Sequence, residues 1–122
     1  MKLTCGVDCE EVARFLPLLE KDSFFRRVFT ERELAHIRAS GHPEETMAGI
    51  FCAKEAIAKA LRRGFFGLLP QEISVEWGDH GAPQAVLLGS AKEQYGALQL
   101  SLSISHTGRT AVAVCTALDP EA

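Results

Sequence analysis

The run from Pro43 to about Arg63 is the longest helical pattern in the chain, and it constrains the fold more than any other segment. Pro43 suits the first helical turn, and Glu44 and Glu45 follow at the positive end of the helix dipole. Met47, Ile50, Phe51, Ile57, Ala58 and Leu61 recur at helical spacing, so this central helix carries an apolar stripe that must be covered. At about 100° per residue, Lys54 projects from the middle of that stripe and Glu55 lies at its edge. A lysine there has two outlets. Either its stem packs while the ammonium reaches water, or an anionic ligand lies over this face.

Around the central helix the pattern is helical early and extended late. Leu3 to Asp8 reads as a strand, and Val12, Phe15, Leu16 and Leu19 give Glu10 to Lys21 a helical face, against which Pro17 argues. Asp22 and Ser23 offer a cap for a short turn through Phe24 to Phe29. Thr30 and Glu33 have the spacing of a capping box that opens a helix to about Ala39. Beyond the break from Gly64 to Pro70, Ile73 to Trp77 and Gln84 to Leu88 read as a hairpin, and Ser90 to Gly96 as a short helix. Leu100, Leu102 and Ile104 alternate with serines, and Ala111 to Ala117 reads as a last buried strand. This order predicts an α+β domain spanning residues 1–122, with the long central helix packed on a largely antiparallel sheet. Neither a dinucleotide fingerprint nor a phosphate-binding P-loop is present.

The chain has 122 residues, 47% of them apolar, which suffices for one core without disulfide or metal staples. No apolar run is long enough to cross a membrane and the N-terminus lacks the layout of a signal peptide, so a cytoplasmic protein is expected. Cys5, Cys9, Cys52 and Cys115 form no CxxC pair and read as reduced core thiols. A net charge of −3 argues against nucleic-acid binding. Arg14, Lys21, Arg26, Arg27, Arg32 and Arg38 nonetheless fall in the first third, which suits either one acidic partner or a solvated face.

Two carboxylates stand in unlike settings: Asp8 ends the first strand and Glu55 lies in the long helix between Lys54 and Lys59. Two acids with two lysines suggest a metal ion holding a phosphate ester. Glu55 and Lys59 are one turn apart, so both can face one cleft or simply pair with each other.

The segments GVDCEEVARF, FFRRVFTERE, AGIFCAKEAIAKAL, GAP and SLSISHTGRTAVAV, in this order, resemble the holo-acyl-carrier-protein synthase family of 4'-phosphopantetheinyl transferases over nearly the whole chain. The resemblance implies a transferase fold and a reaction in which a serine of apo acyl carrier protein attacks coenzyme A. The 4'-phosphopantetheine arm moves to the serine and 3',5'-ADP leaves. It implies Mg2+, or Mn2+, on Asp8 and Glu55, with Lys59 at the phosphates and Lys54 as a second phosphate contact. Asp8, Glu55 and Lys59 are thus the implied catalytic set. Gly64, Pro83, Ser105 and His106 are implied coenzyme A contacts, the last two from a neighbouring subunit of a homotrimer. Arg14, Phe24 and Arg27 match positions that meet the acidic helices of the carrier protein. The chain departs from the family at Ile50, where an arginine is common, at Arg62 and Arg63 before Gly64, where a GTG loop is common, and at Ala82, where a basic residue precedes Pro83. These departures bear on coenzyme affinity. Two other readings remain open: a non-catalytic module that binds acyl carrier protein or coenzyme A, and a metal-dependent pyrophosphate hydrolase.

Overall fold

The computed structural model describes residues 1–62 and 68–121. Chain order runs β1 (Lys2–Glu11), two 3-10 turns (Val12–Phe15 and Pro17–Glu20), α1 (Asp22–Val28), α2 (Glu31–Ala39) and α3 (Pro43–Ala60). It continues with β2 (Ile73–Trp77), β3 (Pro83–Leu87), α4 (Gly89–Tyr95), β4 (Gln99–His106) and β5 (Thr110–Asp119). One antiparallel sheet has the order β1-β5-β4, and β2 with β3 forms a separate antiparallel pair. The α+β architecture and the central helix are as the sequence predicts. Among the described residues no helix is long and apolar enough to cross a membrane.

Two elements differ from their expectations: the stretch read as a turn capped by Asp22 and Ser23 is helix α1, with Lys21 at its N-cap and no side-chain cap, and the other lies directly after Asp8. The helix read over Glu10 to Lys21 is absent, because β1 stays paired with β5 as far as Glu11 opposite Thr110, and Val12 N–H then donates to Arg109 O at 2.9 Å. Eight further residues follow as 3-10 turns, with Pro17 at the start of the second. Val12 and Phe15 are still buried, so the apolar pattern is used without the helix.

Helix α3 is buried on two sides by residues of different size. Gly49 lies against Ile104 of β4, the Cys52 thiol donates to Ala111 O at 3.4 Å, and Gly6 of β1 meets Ala56 and Ala60. Small residues facing Ala111, Ala113, Cys115 and Ala117 let helix and sheet approach closely. On its other side Met47, Ile50 and Ile57 join Leu34 and Ile37 of α2 and Ile73 and Val75 of β2 in the core.

The capping box at Thr30 is complete: Thr30 Oγ1 accepts from Glu33 N, and Glu33 Oε1 accepts from Thr30 N at 2.9 Å. Glu33 does more than cap. Its fully buried carboxylate also accepts from Lys54 Nζ at 2.8 Å and from Val75 N at 2.6 Å, which ties α2 to α3 and β2.

The outer face of β1 and β5 is largely apolar and open, while β4 adds exposed serines beside it. Leu3, Val7, Val112 and Val114 are exposed, and the register places Leu3 opposite Leu118 and Val7 opposite Val114. The same alternation puts Cys5 and Cys9 on this outer face. The reading of all four cysteines as core thiols therefore holds for Cys52 and Cys115 and fails for Cys5 and Cys9.

Candidate active site

Strand β1 crosses α3 at Gly6. A Cβ there would lie 2.6 Å from Ala60 N and 2.8 Å from Lys59 Cβ, so only glycine permits this approach. Strand alternation then carries Asp8 and Glu10 on the same inner face, each with a side chain only 12% exposed. Because β1 and α3 run in opposite directions, moving from Gly6 to Glu10 leads back along the helix from Ala60 toward Cys52. The register fixes this end: Glu10 pairs with Ala111, whose carbonyl accepts from the Cys52 thiol. Glu55 falls between these two points, flanked by Asp8 and Glu10.

Lys59 reaches back over the crossing, its Nζ donating to Val7 O at 3.0 Å and to Asp8 Oδ1 at 3.2 Å. The other carboxylate oxygen, Asp8 Oδ2, is buried and accepts no hydrogen bond. Arg14 pairs with Glu10, and its guanidinium stands 5.6 Å from the Phe15 ring centre and 5.9 Å from that of Phe51.

Three carboxylates thus share a cleft with two cations. Burial pushes the Glu55 carboxyl up and Asp8 adds to the rise, while Lys59 and Arg14 pull it back. Glu10 is raised by burial and then by Asp8, with Arg14 opposing and Glu55 adding. The Cys52 thiol is pushed up by burial, then by Asp8 and Glu10, which places both acids beside it. An unpartnered buried oxygen amid excess negative charge is costly. A hard dication answers both defects. The donor set consists of carboxylate oxygens, which fits magnesium or manganese rather than a thiolate-bound metal.

Comparison with known proteins is consistent along the whole chain. The family model of the 4'-phosphopantetheinyl transferase superfamily matches residues 4–115. The holo-[acyl-carrier-protein] synthase of Caldicellulosiruptor saccharolyticus is 41% identical over 121 residues, covering 96% of this chain and 97% of that protein. That of Caldanaerobacter subterraneus is 38% identical, covering 99% and 98%. The crystal structure of the Bacillus anthracis enzyme in complex with CoA (3',5'-ADP) superposes with a TM-score of 0.79 at 30% identity, covering 93% of this chain and 94% of that one. The chain belongs to the holo-acyl-carrier-protein synthase family of 4'-phosphopantetheinyl transferases.

Within this synthase fold Asp8, Glu55 and Lys59 come together as expected from the sequence. Lys54 does not join them. Its ammonium is fully buried and donates to Glu33 Oε1 and to Ile73 O at 2.5 Å, so the expected phosphate contact is corrected to an internal ion pair. Burial lowers the Lys54 ammonium and raises the Glu33 carboxyl, and the attraction between them opposes both shifts.

Ser105 and His106 point to opposite faces of β4. Ser105 is exposed opposite Val112 on the outer face, whereas His106 Nδ1 lies 3.3 Å from Glu45 Oε1 at the start of α3. Glu45 and Glu55 are separated along the helix by about 15 Å, so His106 and the carboxylate cleft are well apart within one chain. Pro83 opens β3 opposite Trp77, which stacks on His36 with ring centres 3.7 Å apart. Gly64 and Arg63 lie outside the described residues. Ile50 is buried and lines a small cavity with His36, Trp77, Ile104 and His106.

Arg14 and Phe24 converge on Phe51, with ring centres of Phe24 and Phe51 6.4 Å apart, and Arg27 is exposed one turn along α1. The three residues expected at the carrier protein thus border the carboxylate cleft or continue from it. Glu10 and Glu33 were not foreseen as site or network members. The signal for Glu10 was the alternation Gly6, Asp8, Glu10, which reading a helix from Glu10 concealed.

Proposed function

We propose that this chain transfers the 4'-phosphopantetheine arm of coenzyme A to a serine of apo acyl carrier protein and releases 3',5'-ADP. The observation that carries this reading is the convergence of Asp8, Glu55 and Lys59 at the β1–α3 crossing, with Asp8 Oδ2 buried and lacking a donor. Asp8 and Glu55 would hold Mg2+ or Mn2+, which would draw charge from the coenzyme's diphosphate. Lys59, 48% exposed at its side chain, is near enough to the surface to reach the phosphates of a bound coenzyme from its place beside Asp8. The serine oxygen bonds to the β-phosphorus, the bond from that phosphorus to the oxygen of the departing 3',5'-ADP breaks, and the hydroxyl proton needs an acceptor. A carboxylate of the site such as Glu55 and a water beside it are the candidates for that role.

Phe24, Arg27 and Arg14 form the docking edge for acidic helices of the carrier protein, beside the cleft its serine must enter. The open apolar sheet face of Leu3, Val7, Val112 and Val114 supports a homotrimer assembled through β1 and β5. In such a trimer Ser105 and His106 reach a coenzyme held on a neighbouring subunit's α3, which accounts for their distance from the cleft within one chain.

The test is incubation with apo carrier protein, coenzyme A and Mg2+, followed by mass spectrometry. A carrier mass increase of one phosphopantetheine arm is expected. Glu55→Gln and Asp8→Asn should abolish it while leaving the far-UV circular dichroism unchanged. No mass increase with carrier binding retained would convert the reading to a binding module. Release of 3',5'-ADP without any carrier would convert it to a hydrolase. Light scattering that returned a monomer would remove the shared-site part.

A further inference from the structure

We propose that His42, Glu44 and Glu45, at the head of α3, form a site for a divalent transition metal of the zinc class, separate from the carboxylate cleft at the β1–α3 crossing.

The three side chains bring one ligand atom each, an imidazole nitrogen and two carboxylate oxygens, within 4.8 Å of one another. His42 Nδ1 lies 3.4 Å from Glu45 Oε2 and 4.0 Å from Glu44 Oε1. Donors on a tetrahedral zinc ion stand about 3.3 Å apart, because each bond is about 2.0 Å long. The first pair already has that spacing, and the second needs a shift of about 0.7 Å in side chains at the surface.

Local structure delivers these atoms. His42 is the N-cap of α3: its carbonyl accepts from Glu45 N and Thr46 N, and its own N–H donates to Ser40 Oγ at 3.1 Å. The main chain is thereby fixed, yet the imidazole caps nothing. Glu45 follows three residues later and returns to the same face. From β4, His106 Nδ1 stands 3.3 Å from Glu45 Oε1, which leaves Oε2 as the oxygen turned to His42.

The helix dipole is the competing explanation for two acids in a first turn, and it accounts for only part of the cluster. It draws no imidazole to the same point. Nor is counter-charge supplied by the usual cations. Among the described residues no lysine or arginine pairs with Glu44 or Glu45, although their side chains are only 23% and 17% exposed. Sheltered carboxylates that face only histidines are a donor set in want of a cation.

The mixture of ligands sets the metal class. A nitrogen beside carboxylate oxygens suits zinc, cobalt or nickel, whereas magnesium favours oxygen alone. Three protein ligands leave a fourth position to water. Glu45 and Glu55 are about 15 Å apart along α3, so this site and the crossing share no ligand.

The experiment is a Co2+ titration of the full chain in excess Mg2+, followed by visible absorption. Co2+ stands in for zinc, and a near-ultraviolet thiolate band reports any capture by the exposed Cys5 and Cys9. The wild type should bind one Co2+ per chain without a thiolate band, and Zn2+ should displace it. His42→Ala and Glu45→Gln should each weaken binding tenfold or more while keeping the urea unfolding midpoint of the metal-free wild type. Should Glu45→Gln fail to fold, His42→Ala still carries the test, because its side chain is 76% exposed. A chain that takes up no Co2+ in excess Mg2+ overturns the proposal, as does binding in His42→Ala within twofold of wild type. A thiolate band that tracks the bound ion would move it to the cysteines. Loss of binding in Asp8→Asn with His42→Ala unaffected would move it to the crossing, and either outcome overturns the proposal too.

Discussion

Replacing Lys54 by methionine tests whether this lysine, next to Glu55 in sequence, serves the fold or a ligand. Lys54 and Glu33 are both fully buried, with Nζ and Oε1 2.8 Å apart, and removing one partner of such a pair costs about 3–5 kcal/mol. Lys54→Met belongs at the lower end, near 3 kcal/mol, because Glu33 keeps the backbone donors of Thr30 and Val75. Glu33→Gln should cost about 4 kcal/mol, since Lys54 loses its counter-charge and one of the two N–H groups faces an amide NH2. The double variant has no unpaired charge and should cost about 4 kcal/mol rather than the sum of about 7, a coupling of about 3 kcal/mol. With a urea slope of about 1.5 kcal/mol per molar, Lys54→Met lowers the unfolding midpoint by about 2 M. All variants are compared at one protein concentration, because assembly adds to apparent stability. The reasoning is refuted if Lys54→Met costs under about 1 kcal/mol or if the two substitutions simply add. Coenzyme affinity that falls tenfold in Lys54→Met with the midpoint unmoved would restore Lys54 as a phosphate contact.

Three further outcomes are expected. Gly6→Ala drives a methyl into the backbone of α3 and should cost about 3 kcal/mol or more, with turnover lost even where the protein remains folded, because β1 no longer delivers Asp8 to Glu55; a midpoint within 0.5 M of wild type would contradict the crossing. Arg62 holds φ of 64° just after α3, a conformation that glycine adopts without strain, so Arg62→Gly should raise stability by about 1 kcal/mol in urea unfolding, and a loss would show that its side chain packs. The buried thiols make the fold sensitive to alkali. Burial pushes Cys115 up to about 11 from the ordinary thiol value of 9.0, and Cys52 is also raised, so their stabilising share is complete below pH 9 and is lost as pH rises through the folded values. Each should contribute a slope of up to about 1.4 kcal/mol per pH unit there, and a Cys52→Ala, Cys115→Ala variant whose stability falls as steeply as the wild type between pH 9 and 11 would count against it.

Local chemistry in the sequence accounts for the parts of the fold that short-range forces decide. The Thr30–Glu33 box, Pro43 at the head of α3, and the serine alternation of β4 each state their structure within a few residues, and all three form as read. What was not legible depends on partners far along the chain. The segment after Asp8 has a helical apolar pattern, yet ten rungs of pairing with β5 hold it extended to Glu11, and no local signal weighs that ladder against the helix. The alanine and glycine side of α3 carries little hydrophobicity, so the apolar stripe drew attention to the opposite face, although small residues are what let β1 approach. Both blind spots fall on the same feature, since the close crossing and the extended strand together bring Glu10 beside Asp8 and Glu55. Lys54 illustrates the converse. A charged residue amid an apolar stripe reads as a ligand contact until its counter-ion is found, and that counter-ion is Glu33, already accounted for by the capping box 21 residues earlier. The two conspicuous motifs are one network, and it holds α3 in place on the side away from the sheet. Its rigidity matters for chemistry on the sheet side, because Glu55 and Lys59 ride on the same helix and reach Asp8 only in the register that Gly6 and the Glu33–Lys54 pair jointly impose.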